Sequence, residues 1–554
     1  MKGNEWVEYW DKRVNGFKNY CFEQKATFLK AVSDPESTEE RVFQDIIQSI
    51  DKSTYWKSQD IGNLKSIVSF KKMVPIRSYN GYLNEIDEEI NSKGGYLSNG
   101  GLVRFLKTSG TTNKSKRIPY TEHWVAEYRT KALGVLWASY LEKCPEILES
   151  PYSVLDTQTI REIPTEFENG IPCQGITNRN PLVGNNDWDV PWYNAPWMMD
   201  DVPSDYDSRM YIRIRYLIEH DVKFISAINP STLIALHSHI IKNKERLINE
   251  LKLGTVLGKQ KLKPNPDVAQ KLETFDKNLP VTYLWENLKL ISCWTISSAA
   301  LYKGVLDILY PNVNVLPFMT CGSEGVVTLP NTANNEVGLL AITQGLYEFL
   351  PAEQDLDDVL GVATPDTLNF RQLTLGKEYH LIHSQANGLL RQAVGDIFKV
   401  VGFDNGVPRL EFTRRNGIFH SFTGEKITET QMLDAIQFAY KENHLKANLF
   451  MCFPVWKDTP QYKIYIETTG NEQLPDKHNI STDIDQYICS VNEEYKSKRD
   501  SKRLDEIDVE YLLPNSIEQL LEQEKLKGNS TQAKYKPLQS GIETMNFLET
   551  VIVS

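Results

Sequence analysis

A strand followed by a hydroxyl-rich loop stands out near position 110 of the chain. Residues 102–106, Leu-Val-Arg-Phe-Leu, have the composition of a strand, and Ile118-Pro119 ends the segment that follows. The loop between them, residues 108–117, contains Thr-Ser-Gly-Thr-Thr-Asn-Lys-Ser-Lys-Arg. Such a loop offers backbone N–H groups, hydroxyl groups and positive charge to a polyphosphate. It lacks the spacing of a P-loop, and an ordinary surface turn uses the same residue types, so the loop alone leaves both interpretations open.

Composition narrows the class of protein. With 554 residues the chain is long enough for more than one domain, and its formal net charge of −12 disfavours a nucleic-acid partner. Its seven cysteines include no C-x-x-C pair, which argues against a zinc site and fits reduced thiols. The N-terminus lacks an apolar signal core, and no apolar run reaches membrane-spanning length. We therefore expect a cytoplasmic, monomeric protein that acts without a membrane.

The pattern of apolar residues predicts two α/β domains. Residues 121–142 have helical spacing, whereas residues 281–420 contain short apolar runs separated by turn signals, as strands do. After Arg414-Arg415-Asn416-Gly417 a further α/β pattern begins. We therefore expect a large N-terminal domain, 1–413, and a smaller C-terminal domain, 414–554.

Four more stretches carry polar and aromatic signatures. They are Trp285–Lys289 with Trp294–Ser298, Thr320-Cys321-Gly322-Ser323-Glu324-Gly325, Leu346-Tyr347-Glu348-Phe349-Leu350-Pro351, and Gly388 to Phe403 with its core Arg391-Gln392-Ala393-Val394-Gly395-Asp396. With the loop, and in this order, they resemble the auxin-responsive Gretchen Hagen family of acyl-acid amido synthetases, within the firefly-luciferase-like superfamily of adenylate-forming enzymes. The family motifs are S-S-G-T-S/T-x-G-x-x-K, Y-G/A-S-S-E, Y-x-E-F-x-P and Y-R-x-G-D. Further landmarks are Val74-Pro75-Ile76 with Tyr79, and Lys534-Tyr535-Lys536-Pro537, so the resemblance covers nearly the whole chain.

The chain also departs from these motifs. Lys114 stands where the family has glycine, and Arg117 where it has lysine. Thr320 replaces an aromatic residue, and Gln392-Ala393 replaces Tyr-Arg. An aromatic residue would pack the adenine and an arginine would lie nearby, so these changes motivate an alternative: a degenerate member that binds a nucleotide or acyl ligand without turnover.

The resemblance implies an ATP-dependent ligase with the adenylate-forming fold, in which a large N-terminal domain of mixed sheets and helices carries a smaller, mobile α/β C-terminal domain. The enzyme would adenylate a carboxylic acid, release pyrophosphate and pass the acyl group to an amine, for which we expect an amino acid. Formation of an acyl-CoA or another thioester is the enzymatic alternative, although no carrier segment for phosphopantetheine is visible. A serine hydrolase fails because Cys321 stands where a nucleophile elbow around Ser323 needs glycine.

The resemblance also implies roles for individual residues of the N-terminal domain. Glu324 would help to hold Mg²⁺, and Asp396 would accept hydrogen bonds from the ribose hydroxyls of ATP. The loop residues that would contact phosphate are Ser109, Gly110, Thr111 and Thr112. Further candidates for nucleotide contact are Thr320, Gly322, Ser323 and Phe398, of which Gly322 and Ser323 would lie against the adenine.

The C-terminal domain of this superfamily rotates about a hinge after adenylation, and residues 412–415 would form that hinge. Lys426 and Lys536 are the candidates for contacting phosphate or acyl-adenylate oxygens, although a lysine is more often a solvated surface residue.

The acyl pocket is less well defined by the sequence. Candidates for its lining are Trp124, Tyr128 and Arg129, together with Thr295 to Ser298. The spacing of Trp124 and Tyr128 is equally that of a buried helix stripe, and Arg129 is equally consistent with a structural or exposed arginine.

Overall fold

The computed structural model describes most of the chain. The described residues are 3–107, 116–158, 166–176, 190–198, 203, 205–228, 230–295, 303–330, 337–364, 366–415, 418–420, 425, 427–445, 449–455, 459–470, 473–500, 502, 504–528, 535–539 and 542–553. The chain forms two compact units. The first comprises Met1–Ile228, Leu236–Cys293 and Asn312–Phe412, and the second Asn229–Ala235, Trp294–Pro311 and Thr413–Ser554. The division into domains 1–413 and 414–554 stays a prediction.

The α-helices are distributed over the whole described chain. They are α1 (Gly3–Ser33), α2 (Pro35–Ile50), α3 (Thr54–Ser58), α4 (Ile67–Met73), α5 (Leu83–Asn91), α6 (Glu122–Trp124), α7 (Thr130–Lys143), α8 (Tyr206–Leu217), α9 (Pro230–Lys242), α10 (Lys244–Leu253), α11 (Pro266–Thr274), α12 (Lys303–Leu309), α13 (Glu429–Glu442), α14 (Lys477–Val491), α15 (Glu493–Asp500), α16 (Ser516–Gly528) and α17 (Ile542–Glu549). Among the described residues, none of the helices combines the length and the apolar composition needed to cross a bilayer.

Local sequence explains where several helices begin. The Asp34 side chain accepts a hydrogen bond from the backbone N–H of Ser37, and Pro35 occupies the first position of α2, where its missing N–H costs nothing. Thr428 and Gln431 form a capping box at the start of α13, each side chain bonding the other's backbone at 3.2 Å. The helical prediction for residues 121–142 is confirmed, since α6 continues into α7 through the π-helical turn Val125–Arg129.

The strands are mostly short. They are β1 (Leu102–Lys107), β2 (Arg117–Thr121), β3 (Val154–Asp156), β4 (Glu166–Glu168), β5 (Ile171–Gln174), β6 (Phe224–Ser226), β7 (Thr255–Val256), β8 (Lys259–Gln260), β9 (Leu290–Cys293), β10 (Asn314–Pro317), β11 (Thr320–Cys321), β12 (Val326–Leu329), β13 (Leu339–Leu340), β14 (Leu346–Pro351), β15 (Glu378–Ser384), β16 (Gln392–Asp404), β17 (Val407–Arg415), β18 (Ile418–His420), β19 (Ile427–Thr428), β20 (Phe450–Val455), β21 (Gln461–Glu467) and β22 (Asp508–Leu512). The predicted strand at 102–106 is therefore confirmed as β1.

Three sheets dominate the described strands. The largest has seven strands in the order β11-β12-β13-β17-β16-β15-β14. Its pairs β11–β12, β12–β13, β13–β17, β15–β16 and β14–β15 are antiparallel. A second sheet, β10-β9-β6-β3, is parallel throughout, and its buried strands β3, β6 and β9 are typical of a sheet covered on both faces. A third, β2-β1-β5-β4, contains the β1–β2 hairpin, in which Lys107 faces Arg117 across the hydroxyl-rich loop. The sheets are thus mixed, as the sequence predicts.

The turn between β15 and β16 is anchored in the apolar core of the first unit. The indole N–H of Trp56 donates to the Gly388 carbonyl at 2.9 Å, and the Tyr82 hydroxyl donates to the Leu390 carbonyl. Gly388 has φ of +91°, and a Cβ there would lie 2.2 Å from the Leu97 carbonyl oxygen. Only glycine fits this position, because both the backbone conformation and the close approach exclude a side chain.

The same turn ends in a buried arginine. Arg391 is fully buried, and its guanidinium donates to both carboxylate oxygens of Glu348 on β14, at 2.9 and 2.7 Å. It also donates to the carbonyls of Lys71, Val74 and Thr364, at 2.8, 2.7 and 2.9 Å. The bidentate geometry and the carbonyl acceptors satisfy the buried charge. Arg391 therefore holds four chain segments together.

In the second unit, the three-stranded sheet β20-β21-β22 carries the C-terminal landmark motif. Tyr535 exchanges hydrogen bonds with the backbone of Phe450, and the Cys452 N–H donates to the Pro537 carbonyl at 2.7 Å. Lys536, between these two anchored residues, has an exposed side chain. The backbone of Lys536 is therefore fixed on β20 while its side chain faces solvent.

Candidate active site

Glu324 lies on a tight turn between β11 and β12. The Gly322 N–H donates to the Gly325 carbonyl at 2.9 Å, which closes the turn. The Glu324 side chain is buried, with 7% of the residue exposed. Its two oxygens have separate partners: Lys116 Nζ lies 2.7 Å from Oε1, and the Ser323 hydroxyl donates to Oε2 at 2.8 Å. The turn thus presents one paired carboxylate.

The charge on Glu324 follows from these contacts. Burial raises the pKa of the carboxyl group, but the Lys116 ammonium and the hydrogen bonds outweigh it, and the pKa falls to about 2. Because the pKa of the folded protein lies below the ordinary value of 4.5, the contribution of this group to stability is present above that pH and is lost as the pH falls towards 2. Glu324 is therefore an anion throughout the neutral range.

Lys116 and Arg117 diverge where the loop meets β2. Successive residues of a strand point to opposite faces, and Lys116 contacts Glu324 while Arg117 Nη2 binds Asp87 at 2.7 Å. Arg117 Nη1 is a further 3.6 Å from Glu168. Thus Arg117, which stands where the family has lysine, does not contact Glu324, and its neighbour Lys116 supplies the cation.

A polar relay, formed by the hydrogen-bonded side chains of Trp124, Gln385 and His383, packs against the turn from the side of β15. The indole N–H of Trp124 donates to Gln385 Oε1 at 2.8 Å, which directs Gln385 Nε2 towards His383 Nδ1 at 3.4 Å. This amide also packs against the turn, because a Cβ on Gly325 would lie 2.7 Å from Gln385 Nε2. Gly325, with φ of +154°, is the position at which the turn and the relay meet.

His383 ends the relay as a neutral, buried imidazole that accepts from Gln385. Burial lowers the pKa of the imidazole to about 4, with Glu324 raising it and Lys116 lowering it. Since Nδ1 accepts from Gln385, the hydrogen-bond network assigns the proton to Nε2. His383 faces Gln392 across the β15–β16 pair. Among the described residues, neither His383 Nε2 nor the Gln392 amide atoms find a hydrogen-bond partner, which is unusual for buried polar groups.

The other candidates of the first unit have diverse environments. Asp396 lies partly buried in a bulged segment of β16, between Ala393 and Ile397, which pair with Ile382 and His380. The Phe398 ring is fully buried and contacts Phe412 edge-on, with ring centroids 5.7 Å apart. Thr320 begins β11 and is partly exposed.

The acyl-pocket candidates Trp124, Tyr128 and Arg129 are all buried at the junction of α6 and α7. The Tyr128 hydroxyl donates to Asp45, and Arg129 Nη2 donates to the Ile176 carbonyl at 3.1 Å. The π-helical turn that carries Tyr128 and Arg129 is a feature often found at functional sites.

Several predicted residues lie outside the described part of the chain. These are Ser109, Gly110, Thr111, Thr112, Lys426 and the segment Ile296–Ser298. Sequence reasoning missed Lys116, His383 and Gln385. Strand alternation next to Arg117 could have indicated Lys116, but the pairing of His383 with Gln392 and the contact of Gln385 with Trp124 depend on tertiary structure.

The donor atoms of the described residues decide whether Mg²⁺ fits at Glu324. Within the described chain, no group of three or more His, Cys, Asp and Glu side chains is arranged to hold a metal ion. Mg²⁺ bound with a nucleotide needs only one or two protein carboxylates, because phosphate and water oxygens complete its shell. The ionised Glu324 fits that requirement as a single oxygen donor.

Comparison with known proteins places this geometry in context. The GH3 family N-terminal, central and C-terminal domain models match residues 24–315, 338–415 and 430–540. The Arabidopsis thaliana indole-3-acetic acid-amido synthetase GH3.4 is 24% identical over 95% of this chain and 93% of its own length. The 4-substituted benzoates-glutamate ligase GH3.12 of the same plant is 23% identical over 85% of this chain and 87% of its own.

Solved structures agree with the fold. The structure of AtGH3.15 acyl acid amido synthetase in complex with 2,4-DB superposes with a TM-score of 0.78, covering 97% of this chain and 96% of that one at 17% sequence identity. At that identity the match shows the fold, and the predicted adenylate-forming fold is confirmed.

Proposed function

The chain belongs to the GH3 family, and we propose that it is an ATP-dependent, AMP-forming ligase that joins a carboxylic acid to the amino group of an amino acid. The observation that carries this proposal is the turn with Glu324: a buried carboxylate that is ionised and paired with a cation from the end of the hydroxyl-rich loop. Relatives of this chain are named an amido synthetase and a glutamate ligase. We specify the acid substrate only as a carboxylic acid, because the relatives are named for different acids.

The reaction has two steps. A carboxylate oxygen of the acid bonds to the α-phosphorus of ATP, and pyrophosphate leaves. The amine nitrogen then bonds to the acyl carbon, AMP leaves with the bonding electrons, and the amine loses a proton to solvent or base. Negative charge accumulates on phosphate oxygens in the first step, so a cation and N–H or O–H donors near them lower the barrier.

We assign the binding of ATP to residues of the first unit. The loop residues Ser109, Gly110, Thr111 and Thr112 would cradle the phosphates, and Lys116 would add positive charge. Asp396 would accept from the ribose hydroxyls, and the residues near the base would be Thr320, Gly322, Ser323 and Phe398. The support for this assignment is motif order and the position of Lys116 beside Glu324.

Mg²⁺ would be held by Glu324 together with phosphate and water oxygens. When bound, it would neutralise charge on the phosphates as pyrophosphate departs. The acyl pocket would be lined by Trp124, Tyr128 and Arg129, and the support for this assignment is that all three residues are buried at the start of α7. We also propose that the enzyme is cytoplasmic and monomeric; the seven described cysteines form no disulfide, which fits a reducing compartment.

Analysis of the nucleotide products tests the proposal. With ATP, Mg²⁺, a panel of carboxylic acids and a mixture of amino acids, we expect AMP and pyrophosphate, separated by ion-exchange chromatography. ATP–pyrophosphate exchange that depends on the acid, with amino acids withheld, isolates the first step. ADP and phosphate as products would contradict adenylation, and a CoA-dependent product in place of an amide would favour the thioester ligase.

A second candidate is a member of the family that binds nucleotide or acyl ligand without turnover. Gln392 favours it, because this amide is buried with its polar atoms unpaired among the described residues. ATP binding in calorimetry without exchange for any acid in the panel would support this candidate and contradict the ligase.

Rotation of the C-terminal domain between adenylation and acyl transfer, which we call alternation, predicts different roles for Lys426 and Lys536. Lys536→Ala is expected to lower pyrophosphate exchange by about a hundredfold, because a cation near the α-phosphate is lost, and to affect aminolysis of a supplied acyl-adenylate less. Lys426→Ala should do the reverse, or affect both steps mildly. Both half-reactions are measured for each variant. The exposed Lys303 on α12, paired with Asp307, provides the control substitution Lys303→Ala. Equal losses in both steps for Lys536→Ala would contradict alternation, and unchanged exchange would remove Lys536 from the site.

A further inference from the structure

The ion pair between Lys116 and Glu324 occupies the atoms that a metal would need. Lys116 Nζ contacts Oε1 at 2.7 Å, and the second oxygen accepts from Ser323. A dication bound to this carboxylate would lie beside the Lys116 ammonium, and two like charges at such separation repel strongly in a buried site. Mg²⁺ and Lys116 therefore compete for Glu324.

Glu324 cannot simply be released from this pair. Glu324 is buried, so breaking its pair without a replacement would leave an uncompensated charge in the protein. Mg²⁺ could replace the lysine on Glu324, and a phosphate group could replace Glu324 on the lysine, since both exchanges preserve an opposite charge next to each group. A nucleotide with its metal supplies both replacements at once.

The position of Lys116 suits such a replacement of its ion-pair partner. It is the first described residue of the hydroxyl-rich loop, its side chain is 25% exposed, and its ammonium lies 5.4 Å from the centre of the Tyr79 ring. Arg117 is committed elsewhere, to Asp87 and Glu168. Among the described cations near Glu324, Lys116 is the one that both contacts the carboxylate and reaches solvent.

We propose that the Lys116–Glu324 ion pair closes the metal position on Glu324 until a polyphosphate takes over the lysine, so that divalent metal and nucleotide bind cooperatively. The inference rests on the proposed function, because it takes the ATP phosphates as the new partner of Lys116. By thermodynamic linkage, the metal strengthens nucleotide binding by the same factor as the nucleotide strengthens metal binding.

Metal binding without turnover tests the proposal. Mn²⁺ is used in place of Mg²⁺, and the concentration of free Mn²⁺ is followed by electron paramagnetic resonance, with and without a saturating ATP analogue that has a methylene group between the α- and β-phosphorus atoms. The contribution of the analogue alone to Mn²⁺ binding is measured and subtracted. For the natural chain, we expect the analogue to tighten protein-bound Mn²⁺ by about tenfold or more.

Substitution of Lys116 separates this mechanism from ordinary metal–nucleotide binding. Lys116→Met removes the competing charge, so Mn²⁺ alone should bind about tenfold more tightly than to the natural chain. The effect of the analogue should be smaller than in the natural chain, because only the contribution of its phosphate oxygens as metal ligands remains. Lys116→Gln, which keeps a hydrogen-bond donor, is measured in parallel and should behave similarly. Arg117→Met is the matched control and should keep the coupling of the natural chain. Thermal unfolding confirms that each variant is folded.

The combined variant Lys116→Met with Glu324→Gln should lose the nucleotide-independent Mn²⁺ site. If it keeps that site, or if Lys116→Met binds Mn²⁺ no more tightly than the natural chain, the proposal is wrong. The measurement needs neither acid nor amine. Acid-dependent pyrophosphate exchange with no coupling in the natural chain would therefore overturn this inference alone, whereas coupling without exchange would contradict the ligase function alone.

Discussion

Glu324→Gln is expected to lower acid-dependent pyrophosphate exchange by about a hundredfold or more, because the substitution removes a charged metal ligand from a buried site. Glutamine keeps the size of the side chain, so the turn between β11 and β12 should be preserved. The ammonium of Lys116 can be hydrated when its partner is lost, since this side chain is 25% exposed. The fold should therefore survive, which circular dichroism and thermal unfolding measure.

Two further variants test whether a loss of exchange is specific to the proposed ATP site. Asp396→Ala should impair exchange by a similar factor, of about a hundredfold, through loss of charge-assisted bonds to the ribose. Asp87→Asn is the control, because Asp87 pairs with Arg117 on the other side of β2. Exchange at the natural rate in both the Glu324 and the Asp396 variants would show that the site lies elsewhere.

Arg391→Met is expected to destabilise the first unit by about 3–5 kcal/mol, which is the cost of leaving one partner of a buried ion pair uncompensated. Glu348 would keep its charge in a position that is 3% exposed, with the Lys71 ammonium, 3.7 Å away, as its remaining cation, and three backbone carbonyls would lose a donor. Urea unfolding, followed by tryptophan fluorescence, measures the change. Lys303→Met, which breaks an exposed pair on α12, should cost less than about 1 kcal/mol.

The double variant Arg391→Met with Glu348→Leu decides whether the ion pair is responsible. Because both charges of this pair are then absent, and Lys71, which lies 3.7 Å from Glu348, keeps the Thr367 carbonyl as an acceptor at 3.0 Å, the loss of stability should be smaller than for Arg391→Met alone. A double variant that is less stable than the single one would show that packing around the arginine, and not the uncompensated carboxylate, dominates.

Arg391 and Glu324 also show which features of the structure can be predicted from the sequence. The order of motifs predicts the fold and the position of Glu324, because a short signature on a tight turn is a local property. Arg391 stands within the stretch from Gly388 to Phe403, yet its partners come from residues 71, 74, 348 and 364, which no local pattern identifies. Its role in this structure is to stabilise the fold.

The residues that contact Glu324 could not be predicted from the sequence for a similar reason. Lys116 is 208 positions away, and the motif register directs attention to its neighbour Arg117. Which of two adjacent cations turns towards the carboxylate depends on the pleat of β2 and on Asp87, which competes for the arginine. His383 reads as an ordinary strand residue until its pairing with Gln392 is known.

The anchoring of the β15–β16 turn limits how chains of this architecture can evolve. Trp56 and the carbonyl of Leu97 contact Gly388, Tyr82 binds the carbonyl of Leu390, and Arg391 ends the turn. Insertion or deletion of a single residue would put every one of these contacts out of register, and it would shift His383 and Gln392 with them. Changes of substrate preference among homologues should therefore arise from insertions in other connections of the chain, while the length of this turn stays constant.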